Sequence, residues 1–132
     1  MDHSDKLRDA GLRLTQQRLT LASMLFDNGD RHFTAEILHE EMLKSGKHIS
    51  LATIYNSLHY FAKHGLIREI NIDSERSWFD TNTHNHFHYY DDNKMEVMDV
   101  PDTDAEQIRE MIHVPEGYAV KDLNVVVYLQ SE

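Results

Sequence analysis

Ile49-Ser50-Leu-Ala-Thr53-Ile54-Tyr55-Asn56-Ser-Leu58-His59-Tyr60-Phe61-Ala62-Lys63-His-Gly65 decides how the first part of the chain is read. Ser50 precedes the apolar run as an N-cap, with Ile49 and Ile54 spaced as a hydrophobic staple, and Gly65 is the stop. Ile54, Leu58, Phe61 and Ala62 recur at i, i+4, i+7 and i+8, a stripe that must be buried. A turn of about 100° per residue puts Ala52, Asn56, His59 and Lys63 opposite it, flanked by Thr53 and Tyr60. On that pattern alone the stretch is a solvated amphipathic helix. The residues after Gly65 change the reading. Leu66-Ile-Arg-Glu-Ile-Asn-Ile72 is strand-like, Asp73-Ser-Glu-Arg76 is a turn, and Ser77-Trp-Phe-Asp80 is a second strand. Helices that run straight into a two-stranded hairpin have the layout of a winged helix-turn-helix, whose final helix enters the DNA major groove.

Upstream, the same start signal appears twice more. Leu14-Thr15 with Leu19 opens a helix that Asn28-Gly29-Asp30 ends, and Phe33-Thr34 with Leu38 opens another that Gly46 closes. A short helix over Asp5–Ala10, ended by Gly11, precedes both. Three capped, stapled helices predict a compact bundle.

Downstream, His84-Asn-His86-Phe-His88 holds three of the ten histidines. In a strand His86 and His88 project to one face, and imidazole is the commonest protein metal ligand near neutral pH. A hairpin is predicted with His86–Tyr90 as one strand, Asp91-Asp-Asn-Lys94 as the turn and Met95–Val100 as the return. That register sets Tyr90 against Met95, His88 against Val97 and His86 against Asp99, so His86, His88 and Asp99 share a face. Pro101-Asp-Thr103-Asp-Ala-Glu106 reads as a capping box before a helix that carries Ile108, Met111 and Ile112 on one side. Tyr118–Leu129 reads as one long strand, apolar on both faces around Val125-Val-Val-Tyr-Leu129, which calls for cover from both sides. Some fifty residues cannot supply that cover alone, so a homodimer that continues the sheet is expected.

The charge is uneven. The net charge is −10, but residues 1–80 hold 10 Lys/Arg against 12 Asp/Glu, and residues 81–132 hold 3 against 11. This predicts two modules with different tasks: residues 1–82 as a winged-helix DNA-binding domain and residues 83–132 as an α/β dimerisation and metal-sensing domain. The fold class is α+β. With no cysteine, thiolate chemistry is excluded and any metal site must use nitrogen and oxygen, which suits manganese, ferrous iron or zinc. The start Met1-Asp-His-Ser-Asp5 has no basic and apolar signal pattern, and no apolar run reaches membrane-spanning length. A cytoplasmic protein with no membrane partner is expected.

Taken together, Gly11-Leu-Arg13-Leu-Thr-Gln-Gln-Arg18, His32-Phe-Thr-Ala-Glu36, Leu51-Ala-Thr-Ile-Tyr-Asn-Ser-Leu58, Gly65-Leu-Ile and His86-x-His88 resemble the ferric uptake regulator (Fur) superfamily of metal-responsive repressors along essentially the whole chain. The missing Cys-x-x-Cys pairs, with Ser77-Trp-Phe-Asp80 and Met95-Glu-Val-Met-Asp99-Val, look most like its iron response regulator (Irr) branch. The resemblance implies a sensing site at His32, Asp80, His86, His88 and Asp99. It also implies base contacts from Tyr55 and Asn56, a minor-groove contact from Arg13, and phosphate contacts from Arg18, Ser50 and Thr53. Many relatives carry arginine where Asn56 stands. A third family site has Phe87 and Leu123 at its ligand positions here, and the family's structural zinc site needs cysteines. Both are expected to be absent.

The expected function is a regulator, not an enzyme. It would bind an A·T-rich inverted-repeat operator as a homodimer or higher oligomer and respond to manganese or ferrous iron, with zinc and haem as further candidates. Without cysteine a haem would need histidine, and His84, His86 and His88 are the candidates. Three other readings compete: peroxide sensing through oxidation of ligand histidines, a DNA-binding module with merely structural histidines, and a non-haem metalloenzyme. The last is disfavoured because five ligands would close the coordination sphere, whereas catalytic sites keep a position open.

Overall fold

A computed structural model describes residues 2–132 and divides into two compact units, the first running to Thr83 and the second spanning His84–Glu132.

In the first unit α1 (Ser4–Asp9), α2 (Gln16–Phe26), α3 (Ala35–Lys44) and α4 (Leu51–Lys63) pack with a three-stranded antiparallel sheet. The three predicted N-caps are formed. Thr15, Thr34 and Ser50 have extended backbones, and their hydroxyls accept from the amides of Arg18, Ile37 and Thr53 at 3.2, 3.1 and 3.2 Å. Each satisfies an amide that the first helical turn would otherwise leave without a partner. All three staple pairs join one apolar core, in which Phe33, Leu38, Ile54, Leu58 and Phe61 are fully buried. At about 1.5–3 kcal/mol for each large side chain withdrawn from water, that core is what holds the helices together. Gly46 and Gly65 end α3 and α4 with φ of 76° and 77°, in the left-handed region where a Cβ is unfavourable.

The sheet has the order β1-β3-β2, from β1 (His32–Thr34), β2 (Arg68–Ile70) and β3 (Trp78–Asp80). The β2–β3 wing is shorter than the pattern suggested. Asp73 accepts from the amides of Glu75 and Arg76, which tightens the tip and leaves a longer loop. β1 was not predicted. Its three residues pair with β3 in the register His32↔Asp80, Phe33↔Phe79, Thr34↔Trp78, and Phe33 stacks on Phe79 at 5.8 Å between ring centres. No local periodicity announces a three-residue strand whose partner lies more than forty residues away.

The second unit is a ββαβ arrangement with sheet order β5-β4-β6, from β4 (His88–Asp91), β5 (Glu96–Asp99), α5 (Asp102–Glu110) and β6 (Val126–Leu129). Three expectations are corrected here. The hairpin register is His88↔Asp99, Tyr90↔Val97 and Asp91↔Glu96, two residues away from the predicted pairing. Asp91 ends the strand because its carboxylate accepts from the amides of Asn93 and Lys94, and Met95 closes the turn at φ 52°. The helix begins at Asp102 after Pro101, with no side-chain cap, and ends before Met111, which is 74% exposed. The last strand has four residues, not twelve. It pairs in parallel with β4 one residue for one residue, so β4 limits its length. Val127 and Tyr128 are exposed in the single chain, so β6 is an open edge strand, and this unit alone does not supply the cover that the strand is expected to need. The buried core of this unit is small, with Phe87, Val100 and Ala105 at its centre. Among the described residues no helix is long and apolar enough to cross a membrane.

Caps and core differ in their expected contribution. Thr15 is exposed, so Thr15→Ala should cost only the cap, about 1 kcal/mol. Leu58→Ala opens a cavity under α4 and should cost about 2–5 kcal/mol. Urea unfolding separates the two, and a Thr15→Ser protein should match the parent. A Thr15→Ala loss as large as that of Leu58→Ala would mean the helix start depends on something other than its cap.

Candidate functional site

The expected metal-ligating residues fall into two groups, one in each unit. In the first unit the β1–β3 register sets His32 directly across from Asp80. Asp80 is 1% exposed, and a buried carboxylate needs partners. One oxygen, Oδ1, accepts from the Asn82 amide at 2.9 Å. The other, Oδ2, meets His32 Nε2 at 3.2 Å.

In the second unit His86 and His88 are buried, with ring centres 4.4 Å apart, and both imidazoles converge on Asp99. Nε2 of His86 and Nε2 of His88 lie 3.1 and 3.7 Å from the same oxygen, Asp99 Oδ1. The two-residue shift in register leaves this face intact, because an even shift keeps side chains on the same side. Nδ1 of His86 donates to the His84 carbonyl. Its proton is thus committed away from Asp99, so in neutral His86 the Nε2 lone pair points at the carboxylate. That pairing is repulsive unless a cation or a second proton intervenes.

The donor set fits a divalent metal. Ligand atoms about 2.0–2.2 Å from a metal, at angles between the octahedral and trigonal values, lie roughly 2.8–3.8 Å from one another. The spacings of 3.1, 3.2 and 3.7 Å fall in that range, and 3.7 Å is too long for a hydrogen bond. Imidazoles that bind metals usually give their other ring N–H to a carbonyl or carboxylate, as His86 does. His84 is exposed, and its backbone carbonyl accepts from His86 Nδ1. Phe87 and Leu123, the positions of the third family site, lie in the apolar cluster of the second unit.

The expected DNA-contacting residues all lie in the first unit. On α4, Tyr55 and Asn56 are exposed, and Thr53 is half-buried at its start. The Ser50 hydroxyl accepts from the Thr53 amide and donates its one proton to Thr53 Oγ1 at 2.9 Å, so the Thr53 hydroxyl is the outward donor of the pair. The Tyr55 hydroxyl lies 3.2 Å from that of Ser77 beside the wing, and its ring packs on His59, which in turn meets Phe79. Arg13 is exposed in the turn before α2. Arg18 donates to the Arg13 carbonyl at 2.7 Å and stacks over Tyr60 of α4 at 4.6 Å. Arg18 therefore joins the two arginines to the open side of α4.

Sequence reasoning missed three contributors. The His84 carbonyl orients His86, and Arg31 and Thr81 flank the His32–Asp80 pair and bond to each other. Arg31 stands in a polar turn and reads as a solvated cation. No spacing signals its partners.

A winged helix with one face of α4 open, followed by a small domain that bears imidazoles against a carboxylate, is the build of a metal-responsive DNA-binding regulator. The Ferric uptake regulator family model matches residues 9–128, and the chain belongs to that family. It is 30% identical over 135 residues to the ferric uptake regulation protein of Pseudomonas aeruginosa, covering 100% of this chain and 99% of that protein. The structure of the Pseudomonas aeruginosa regulator with manganese superposes with a TM-score of 0.78 at 28% identity, over 100% of this chain and 99% of that one. The Vibrio cholerae ferric uptake regulator gives 0.85 at 27% identity, over 98% and 100%. The peroxide-responsive repressor PerR of Staphylococcus aureus is 39% identical over 82 residues, 62% of this chain and 55% of that repressor.

The convergence of His86 and His88 on Asp99 predicts cation-dependent stability. A ligand that binds only the folded state adds about 2.7 kcal/mol at a hundredfold excess over its Kd. Manganous ion should therefore raise the unfolding midpoint of the parent protein, and His86→Ala and Asp99→Asn should lose most of that gain. A full shift retained in both variants, followed by scanning calorimetry, would place the cation elsewhere.

Proposed function

We propose that this chain regulates genes of iron, manganese or haem homeostasis through one divalent cation, manganese or ferrous iron, held jointly by His32, Asp80, His86, His88 and Asp99. The reading is carried by the shared carboxylate oxygen of Asp99, faced by two Nε2 atoms while the other nitrogen of His86 is engaged by a carbonyl. Neither group is a full ligand set for manganese or ferrous iron by itself, since such ions favour more than two or three protein donors when closed to solvent. The family resemblance joins the two groups into one site. When bound, the cation supplies a divalent charge and a fixed coordination polyhedron. His32 and Asp80 belong to the DNA-binding unit and the other three to the second unit, so shared ligation sets the angle of the DNA-binding heads. DNA half-sites have fixed spacing, and metal and operator affinity are then reciprocally coupled.

On the operator, α4 occupies the major groove with Tyr55 and Asn56 at the base edges. An asparagine amide pairs bidentately with adenine N6 and N7, so Asn56 favours A·T pairs. Arg13 enters a narrow A·T-rich minor groove, while Arg18, Ser50 and Thr53 hold phosphates. Two copies meet through the second unit, which supports the homodimer with its small core, its open edge at β6, and Met111, Tyr118 and Tyr128 exposed. Within the family, the absence of cysteine and the Ser77–Asp80 and Met95–Val100 segments favour the iron response regulator branch. The identity to PerR favours a second reading, peroxide sensing at the same histidines.

The deciding experiment titrates metal-free protein onto an A·T-rich inverted repeat with manganous, ferrous and zinc ions and haem in turn, for the parent and His86→Ala. Operator affinity should change by about 5–150-fold with manganous or ferrous ion in the parent and stay constant in the variant. Equal affinity under every condition ends the sensor reading. A response to haem alone, retained in His86→Ala, moves sensing off this site. A 16 Da gain on a peptide containing His32 or His86, after peroxide treatment of the ferrous protein, selects the peroxide reading.

A further inference from the structure

The His32–Asp80 pair lies at the end of the β1–β3 ladder, where strands ordinarily fray. Here the next residues on both strands are bonded. The Thr81 amide donates to the Arg31 carbonyl at 3.1 Å, and the Arg31 amide donates to Thr81 Oγ1 at 2.8 Å. The ladder thus runs one step beyond His32 and Asp80. The Arg31 side chain then ties this end to the helices. Its Nη1 and Nη2 donate to the two carboxylate oxygens of Glu41 on α3, at 2.9 and 2.6 Å. Its guanidinium also lies over the Phe33 ring at 5.5 Å. Arg31 and Glu41 are only partly exposed, and a two-toothed arginine–carboxylate pair fixes orientation as well as adding energy.

From this geometry we infer that Arg31 is a positioning residue for the metal centre. Held by Glu41 and Thr81, it sets the spacing of His32 and Asp80 at the free end of the sheet. Its link to α3, the helix that packs against α4, makes the same residue a mechanical connection between this ligand pair and the DNA-binding helices. The Arg31 side chain bonds to Glu41 and lies over Phe33, so its effect runs through the placement of His32 and Asp80. The inference rests on the proposed shared cation.

The test measures manganous ion affinity by calorimetry on the intact protein for the parent, Arg31→Met, Arg31→Lys, Glu41→Gln and His86→Ala. Arg8→Ala serves as control, since it removes an exposed arginine–aspartate pair of the same unit. Loss of a group that hydrogen-bonds a ligand directly weakens metal binding by about 10–100-fold. The Arg31 side chain acts one contact further out, so a loss at the lower end, about tenfold, is the expectation. That loss is expected for Arg31→Met, with a smaller one for Arg31→Lys and Glu41→Gln and none for Arg8→Ala. The visible absorption of cobaltous ion bound to Arg31→Met should also change shape, because it reports ligand geometry and not fold stability. Parent affinity and an unchanged cobalt spectrum in Arg31→Met and Glu41→Gln, even with a lowered unfolding midpoint, overturn the inference and leave Arg31 a stabilising contact only. If the parent binds manganous ion no better than His86→Ala does, the metal reading fails and this inference with it. If Arg31→Met does not fold, Arg31→Lys and Glu41→Gln decide the matter alone.

Discussion

The pairing of β1 with β3 is the constraint on which most of the first unit depends. It joins residue 32 to residue 80 and supplies the outer strand of the wing sheet. It also stacks Phe33 on Phe79, within the core that α4 covers. The same three residues deliver Thr34 to the start of α3 as its cap, so sheet and helix share one short segment. Closing a loop of this length is entropically costly, but the cost grows only slowly with length, and two buried aromatic rings can offset it. A consequence for function is that His32 and Asp80 are brought together by the folding of the core itself.

The second unit rests on a different balance. Its sheet is three strands of four residues each, and its buried apolar centre is small. Units of this size rarely hold a unique structure on their own core and commonly draw on a metal or a second subunit. The high acidic content of residues 81–132 adds self-repulsion. A divalent cation at Asp99 and a partner copy along β6 would relieve both weaknesses. The proposed metal ligands and dimer contact therefore fall in the part of the chain that is least able to stand alone.

Much of this was legible in the residues. The caps at Thr15, Thr34 and Ser50, the three staples and the α4 stripe are local features, set by neighbours three to five residues apart, and each is present in the structure. The shared face of His86, His88 and Asp99 was legible for a similar reason, since a hairpin pairs residues close in sequence. What was not legible depends on distance or on backbone atoms. β1 is too short to show periodicity, the fork from Arg31 to Glu41 joins two ordinary surface-type residues, and the His84 carbonyl has no side-chain signature. The length of β6 was misjudged because strand propensity describes what a segment can do, while the four residues of β4 determine how much of it finds a partner.

The hairpin register shows why a shift by two residues keeps the histidine face and a shift by one does not. The predicted pairing set His86 against Asp99, whereas the structure sets His88 there. Because side chains alternate with a period of two, a shift by two residues exchanges which histidine is directly opposed and keeps both on the face of Asp99. A shift by one would have turned Asp99 to the far side and brought Val100 to the histidines instead. The register is held against that slip at two points. Asp91 captures the amides of Asn93 and Lys94 at the turn, and Phe87 and Val100 are buried in the core on the other face. A one-residue slip would turn Val100 away from Phe87 and break the turn together, so the face shared by His86, His88 and Asp99 is fixed by the same contacts that fold the hairpin.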